Sequence, residues 1–351
     1  MKCLSAFRVM FLGALFLLGL TTMTVEGHAP ASLSPAFAPS SDAAGASALP
    51  LWAYPVLPPR SRDSGAPAPR SAAAPDETQR HVPGSKQTYT TAYIADLFTV
   101  PDWFPDEHPS MPTPVRQGRR PDAAACAYCH LPNGLGRPEN ESIAGLPKAY
   151  IIEQLKDFQD GSRHSSEPRM GSVNYMVRVA KAATPDEVEA AADYFSQLKL
   201  TKWLRVVETD TVPKTHISDG MLIADAGGTA PIGSRIIEVS EDLEQTELRN
   251  PQSGFIAYVP KGSLKRGEEL VKAGGSGKTM ACTICHGPNL QGVGSVPGIA
   301  GRSPSQMARQ LIDFRSGARS GAGAAVMKSP VAQLTDDDIA AITAYLASLE
   351  P

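Results

Sequence analysis

The sequence predicts a mainly helical protein in which one small helical domain occurs twice in tandem. A small β-rich connector is expected between the copies, and a disordered segment rich in Pro and Ala before them. Three observations predict this fold class. A stretch of more than 30 residues recurs at an offset of 156 residues, apolar residues in both copies follow helical spacing, and short β-branched runs separate the copies. The 351 residues, 42% of them apolar, suffice for two or three small cores.

The first 29 residues have the pattern of a secretory signal. Lys2 and Arg8 give a basic start, residues 9–20 form an apolar run, and small residues follow near Ala29. The run is shorter than the roughly 20 apolar residues of a transmembrane helix. The pattern predicts export to the bacterial periplasm and leaves open whether the signal is cleaved or retained as an anchor.

Residues 30–86 are rich in Pro, Ala and Ser. Such a composition buries too little apolar surface to offset the entropy of ordering the chain, so it predicts a disordered tether. Within it, residues 51–59 carry Trp52 and Tyr54. This island either docks on a folded domain or a partner, or is an unspecific apolar patch in a linker; composition favours neither.

The internal repeat defines two domains, predicted over residues 87–200 and 261–351. At the constant offset of 156 residues, short identical strings recur in the same order. The matched strings are Ile143-Ala-Gly145 with Ile299-Ala-Gly301, Gln154-Leu155 with Gln310-Leu311, Asp157-Phe158 with Asp313-Phe314, and Gly161-Ser-Arg163 with Gly317-Ala-Arg319.

Each copy predicts the same helices. A helix begins near Pro147 or Pro304, residues suited to a first turn, and carries an apolar stripe at i, i+4 and i+7. The last helix begins at Thr184 in a capping box, or at Thr335 before three Asp residues. Shorter helices are expected around residues 115–118 and 264–271.

The connector, residues 201–260, has a different character. Short β-branched or aromatic runs at 203–208, 235–239 and 255–259 are separated by segments with Gly, Pro, Asn and Asp, which indicates strands and turns. We expect it to brace the two copies, the interpretation favoured over a recognition surface.

Each copy contains one C-x-x-C-H motif, Cys126-Ala-Tyr-Cys129-His130 and Cys282-Thr-Ile-Cys285-His286. This motif is typical of covalent haem c attachment, in which the thiols add to porphyrin vinyl groups and the histidine binds the iron. A zinc half-site or a redox dithiol also uses C-x-x-C, but two C-x-x-C-H motifs in an exported chain favour two haems. Of five cysteines, only Cys3 lies outside the motifs, within the predicted signal, so no disulfide is expected.

The repeat also indicates the second axial ligand of each iron. Met327 lies eight residues before Thr335, and Met176 lies eight residues before Thr184. Met170, within five extra residues of the first copy, is the competing candidate there. Ligation by His and Met raises the reduction potential and favours electron carriage over catalysis.

Residues around the irons are partly predictable. A ligating histidine donates its second ring N–H to a carbonyl or carboxylate, and Pro297 is placed to supply that carbonyl to His286. The first copy has Glu141 at this position, so the two haems need not be tuned alike. Arg163 and Arg319 suit haem propionates, with solvated surface arginines as the alternative interpretation.

The chain resembles the di-haem periplasmic cytochromes built from two class I cytochrome c domains. The resemblance rests on the C-x-x-C-H motifs, residues 297–301 (Pro-Gly-Ile-Ala-Gly), residues 310–319, Met327 and a terminal helix with Tyr345. It implies a mainly α fold around two haem c groups and one-electron transfer in a respiratory chain. Gln306 where the family tends to have Tyr, Glu141 in place of Pro, and the added connector and tether depart from its pattern.

Three functions follow from these residues, in order of preference. The first is a non-enzymatic electron carrier between a dehydrogenase or quinol oxidase and a terminal oxidase, either free or as the cytochrome subunit of a dehydrogenase complex. The second is a di-haem peroxidase or thiosulfate-oxidising enzyme with one catalytic haem. The third is a haem-based sensor or assembly module. A net charge of −3 gives no sign of nucleic-acid binding, and peripheral membrane association is left open.

Overall fold

The computed structural model describes residues 49–57 and 74–351. The predicted signal and most of the predicted tether lie outside these ranges. None of the helices within the two described ranges is long and apolar enough to cross a membrane.

The first half begins with a small strand pair and continues with helices. β1 (Gln79–Arg80) pairs antiparallel with β2 (Tyr89–Thr90), which leads directly into α1 (Thr91–Ala95). The helices that follow are α2 (Thr113–Arg116), α3 (Cys126–His130), α4 (Lys148–Asp160), α5 (Gly171–Ala182) and α6 (Pro185–Gln197). Buried apolar side chains of α2, α3, α4 and α6 form the core of this half.

Strands dominate the segment between the halves. Its elements are β3 (Leu204–Thr209), β4 (Thr211–Ser218), β5 (Met221–Pro231), β6 (Ile237–Ser240), α7 (Leu243–Glu247) and β7 (Phe255–Pro260). β7 lies between β3 and β6, parallel to β3 and antiparallel to β6, while β4 and β5 form a separate hairpin. β3 follows the last helix of the first half and β7 precedes the second half, so the parallel pair joins the two halves directly.

The second half is again helical. Its elements are α8 (Ser263–Ala273), α9 (Thr283–His286), α10 (Pro304–Ser316), a 3₁₀ segment (Ala322–Met327), α11 (Lys328–Val331) and α12 (Asp336–Ser348). α8 crosses α12 at Gly267, where an added Cβ would collide with the carbonyl oxygen of Ala341. A side chain at this position would therefore push the two helices apart.

Most helices coincide with the sequence predictions. The capping boxes of α6 and α12 are both present, with the Thr184 and Thr335 hydroxyls accepting hydrogen bonds from backbone N–H groups of the first turn. Pro147 is the N-cap residue of α4 instead of its first-turn residue. β3, β6 and β7 coincide with the three β-branched runs.

Besides shorter elements such as β1, β2, α1, α7 and α11, two longer elements were absent from the sequence prediction. One is α5, whose sequence lacks an N-capping side chain. The other is the β4–β5 hairpin, whose turn is formed by Asp219 and Gly220 with φ angles of 48° and 79°. Positive φ at both turn residues is the geometry that Asp-Gly favours in tight hairpins, so this dipeptide was the available signal.

The expectation of a disordered tether is wrong for residues 79–86, where β1 pairs with β2 and Val82 is fully buried, and for residues 49–57. Trp52 and Tyr54 are buried in the core of the second half, and the Tyr54 hydroxyl donates a hydrogen bond of 2.8 Å to Asp313 Oδ1. Arg309 Nη1 donates to the Ala53 carbonyl oxygen at 2.8 Å. These buried aromatic rings and hydrogen bonds offset the entropy of ordering this stretch, which composition alone did not reveal.

Candidate haem sites

The first C-x-x-C-H motif forms the short helix α3, which sets both cysteines and the histidine on one turn. His130 Nδ1 lies 2.7 Å from the Glu141 carbonyl oxygen, 11 residues further along the chain. This contact makes Nδ1 the protonated nitrogen and leaves Nε2 with its lone pair for a metal. Burial lowers the pKa of His130, which keeps the ring in the neutral form that ligates iron.

The second motif repeats this arrangement in α9. His286 is buried, and its Nδ1 lies 2.8 Å from the Pro297 carbonyl oxygen, also 11 residues further along. Burial lowers the pKa of His286 as well. The two halves therefore orient their histidines through the same backbone contact, although the residue that supplies it differs.

The four cysteines of the motifs form no disulfide with one another. Burial, with a smaller contribution from Cys129, raises the pKa of Cys126 to about 12. Burial likewise raises the pKa of Cys282 to about 11. With raised pKa values, Cys126 and Cys282 do not resemble the thiols of a redox dithiol, whose pKa is low.

A cavity adjoins the first motif. It encloses about 1100 Å³ of space not filled by protein atoms, part of it open to solvent. Mostly apolar side chains of α4, α5 and α6 line it together with Cys126, Cys129 and His130, and Met176 of α5 is among them. Met170 is nearly fully buried at the N-terminus of α5 and is not one of the lining residues. An apolar cavity with two thiols, a neutral imidazole and a thioether fits a covalently attached haem.

Met327 of the second half ends the 3₁₀ segment and packs partly buried against the core. The same segment contacts the first half, because the Gly323 backbone N–H donates to Glu153 Oε1 of α4 at 2.9 Å. The two methionines that match in the repeat therefore lie in different local structures, a regular helix for Met176 and a 3₁₀ turn for Met327.

Arg163 and Arg319 meet at the contact between the halves. These matched residues pair with each other as an isolated antiparallel bridge, and both side chains are buried. Arg163 donates to Gln310 Oε1 at 3.0 Å, and Arg319 donates to Gln154 Oε1 at 2.6 Å. Such reciprocal contacts between matched residues place an approximate twofold axis at this point.

One charge breaks this symmetry. Arg163 Nη2 lies 2.6 Å from Glu141 Oε2, whereas the second half has Pro297 at the matched position. Burial by itself would raise the pKa of Glu141, but Arg163 and then Arg319 hold it below its ordinary value. The residue that orients His130 is therefore an anion held by the arginine cluster.

Sequence reasoning missed Arg302, which ties the two histidine loops together. Its guanidinium is buried and donates to the carbonyl oxygens of Gly298 at 2.7 Å and Ser142 at 2.5 Å. Burial lowers the pKa of Arg302 to about 10. The sequence did offer one sign of this role, because the repeat has a charged Arg302 where the first copy has the apolar Leu146.

The fold and these sites are those of the class of proteins that attach haem covalently. The cytochrome c family model matches residues 264–350. A cytochrome c-554(548) of Halomonas halodenitrificans is 40% identical over 80 residues, which are 22% of this chain and 95% of the relative. The chain belongs to the cytochrome c family, and its cofactors are two covalently attached haem c groups.

Two longer relatives match a larger part of the chain. A thiosulfate dehydrogenase electron acceptor of Thiomonas intermedia is 27% identical over 233 residues, 65% of this chain and 80% of the relative. Cytochrome c4 of Azotobacter vinelandii is 27% identical over 232 residues, 65% of this chain and 85% of the relative. These likenesses support electron transfer as the general activity of the chain.

Proposed function

We propose that this chain carries single electrons between redox proteins of the periplasm, with one iron held by His130 and Met176 and the other by His286 and Met327. The observation that carries the proposal is the cavity beside α3. It brings Met176, 46 residues further along the chain than His130, to the same cavity as the first motif.

The assigned ligands explain why a carrier is favoured over an enzyme. Haem supplies one-electron chemistry when it is bound, and a histidine with a methionine raises its potential relative to two histidines. With His130 and Met176 holding one iron and His286 and Met327 the other, a substrate would have to displace one of these side chains. The lining of the first cavity is mostly apolar, which would limit the contact of a haem bound there with water.

The two halves are proposed to act as a relay at two different potentials. We assign residues 87–200 and 261–351 as the haem domains and residues 201–260 as the brace. The anionic Glu141 beside His130, against the uncharged Pro297 beside His286, gives the two sites different electrostatics. Arg163 and Arg319, within this asymmetric cluster, are the residues that we assign to the haem propionates.

The electron donor and acceptor are assigned by chemical class. Relatives that are thiosulfate dehydrogenase electron acceptors support a dehydrogenase of that class as the donor. A quinol oxidase is the other donor class, and a terminal oxidase is the proposed acceptor. Export through residues 1–29 would deliver the chain to the compartment where haem c is attached.

Optical, near-infrared and EPR spectra of both oxidation states test the ligand assignment. Two low-spin haems that both show the near-infrared methionine-to-iron band support the proposal. A high-spin haem that readily binds cyanide would indicate an open iron and contradict the carrier function for its half.

Single replacements assign the methionines. We expect Met176→Ala to remove the methionine band of the first haem and Met327→Ala to remove that of the second. Met170→Ala is the matched control, because Met170 is the N-cap residue of the helix that carries Met176 but does not line the cavity. Loss of the first-haem band in Met170→Ala, with its retention in Met176→Ala, would reverse the assignment.

A further inference from the structure

Met327 lies on a segment that packs little against its own half. Of the six residues of the 3₁₀ segment Ala322–Met327, one is buried and four are exposed, and Val326 is 75% exposed. The motif of the same half is open to solvent as well, because Ile284 is 70% exposed where Tyr128, at the matched position, is 7% exposed. Packing within the second half therefore leaves the position of Met327 to be fixed by other contacts.

Two contacts from the first half hold the start of this segment. The Ser320 backbone N–H donates to the Ser162 carbonyl oxygen at 2.8 Å. Three residues later, the Gly323 backbone N–H donates to Glu153 Oε1 of α4 at 2.9 Å. Gly323 lies four residues before Met327, so the second contact fixes the backbone little more than one turn from the proposed ligand.

Glycine at two positions lets this segment lie so close to α4. A Cβ added to Gly323 would lie 2.7 Å from Glu153 Oε1, and one added to Gly321 would collide with Asp157 Oδ2. Asp157 is buried, and this burial, followed by the charge of Glu153, raises the pKa of Asp157. Two acidic side chains of α4, one turn apart, therefore face the segment that carries Met327, and Glu153 binds its backbone.

A contact in the opposite direction accompanies this one. Asp313 of α10, the match of Asp157 in the repeat, accepts from the Ser166 backbone N–H at 2.9 Å and from the Ser166 hydroxyl at 2.6 Å. Ser166 lies ten residues before Met176. Each half thus uses an acidic side chain of the same helix to bind the segment that leads to the proposed methionine ligand of the other half.

Met176 is also held by its own half. It lies inside the 12-residue helix α5, and Gln159 Nε2 of α4 donates to the Ala180 carbonyl oxygen of α5 at 2.9 Å. Hydrogen-bond geometry is poorer in a 3₁₀ turn than in an α-helix. Met327 therefore depends more than Met176 on the contact from the opposite half.

We propose that Glu153 of the first half is a positioning residue for Met327, so that the contact between the halves controls how firmly the second iron is ligated. The inference rests on the proposed function, in which Met327 binds that iron. An external ligand binds the iron only while the methionine is displaced, so its apparent affinity rises in proportion to the open fraction. A loosened Met327 is therefore measurable without a redox partner.

Imidazole binding to the oxidised holoprotein tests this role. In the Met176→Ala background the remaining near-infrared methionine band reports the second haem alone, and in the Met327→Ala background it reports the first. We expect Glu153→Ala to increase the imidazole affinity of the second haem about fivefold, which corresponds to about 1 kcal/mol, the net contribution of one hydrogen bond. The affinity of the first haem should stay unchanged.

Two matched variants complete the experiment. Glu153→Gln keeps a side-chain oxygen that can accept from the Gly323 N–H, so its imidazole affinity should stay within about twofold of wild type. Glu189→Ala makes the same change of charge in α6 of the first half, where Glu189 pairs with Lys148. This variant should leave both affinities unchanged.

Three results would overturn the role of Glu153. The first is an unchanged second haem in Glu153→Ala. The second is equal loosening of both haems, which would indicate a general opening of the contact between the halves. The third is an effect of Glu153→Gln or Glu189→Ala as large as that of Glu153→Ala, which would assign the change to charge. A wild-type second haem without a methionine band would instead contradict the ligand assignment and the proposed function.

Discussion

Replacing Glu141 by Gln is expected to destabilise the protein more than replacing its ion-pair partner Arg163 by Met. Without Glu141, two buried guanidiniums, those of Arg163 and Arg319, remain side by side, and the side chains that accept from them are neutral, the amides of Gln154 and Gln310 and the Tyr150 hydroxyl. Removing one partner of a buried ion pair typically costs about 3–5 kcal/mol. Without Arg163, the carboxylate still interacts with Arg319, so we expect the cost of about 1.5–3 kcal/mol that is typical of a lost hydrogen bond to a charged group.

The double variant sharpens this prediction. Once Glu141 is replaced by Gln, the additional change Arg163→Met removes one of the two repelling cations, so the double variant should be no less stable than E141Q alone. Guanidinium chloride unfolding, followed by the absorbance of the haems, measures the free energy of unfolding of all three variants. A larger cost for R163M than for E141Q, or additive costs in the double variant, would refute the reasoning.

The same pair predicts a pH dependence. The pKa of Glu141 is lowered in the folded protein, so its contribution to stability is present above the unfolded pKa of about 4.3. It is lost as the pH falls through the folded value. The difference in free energy of unfolding between wild type and E141Q should therefore be constant above pH about 6 and shrink towards pH 3. A difference that grows on acidification would contradict the assigned ion pair.

Three further predictions concern packing and hydrogen bonds outside the haem sites. Gly267→Ala should lower the free energy of unfolding by about 3 kcal/mol, because its Cβ would collide with a backbone carbonyl oxygen of the neighbouring helix. Gly171→Ala is the control and should be nearly neutral, because no atom lies within 4 Å of its added Cβ. Thermal unfolding measures both variants. The hydrogen bond to Asp102, 3.0 Å away, raises the pKa of His108 in the folded protein. His108→Asn should therefore destabilise the protein by its full amount below pH about 6.5, and the difference from wild type should vanish as the pH rises through the folded pKa. Denaturation at pH 6 and pH 9 measures this difference. Tyr54→Phe should cost about 1–3 kcal/mol, because it removes a buried hydrogen bond to a carboxylate, and equal denaturation midpoints for variant and wild type would contradict it.

Local sequence patterns predicted most of the longer helices. The capping residues Thr184 and Thr335 marked the start of α6 and α12, because a cap is a pattern of four neighbouring residues. α5 was not predicted, because its N-terminus has no capping side chain that would mark its start in the sequence. Residues 49–57 were assigned to a disordered tether because their burial depends on Asp313 and Arg309, more than 250 residues away.

The sequence by itself determined the two attachment motifs, the repeat that relates them and the methionine candidates, because these are local strings and constant offsets. The tertiary structure alone decided how the two copies differ. Arg249 covers Tyr128 from 121 residues away, and Arg302 binds the Ser142 carbonyl from 160 residues away. No local pattern records such contacts, since they depend on where the connector places its residues. One motif is covered and its copy exposed for that reason.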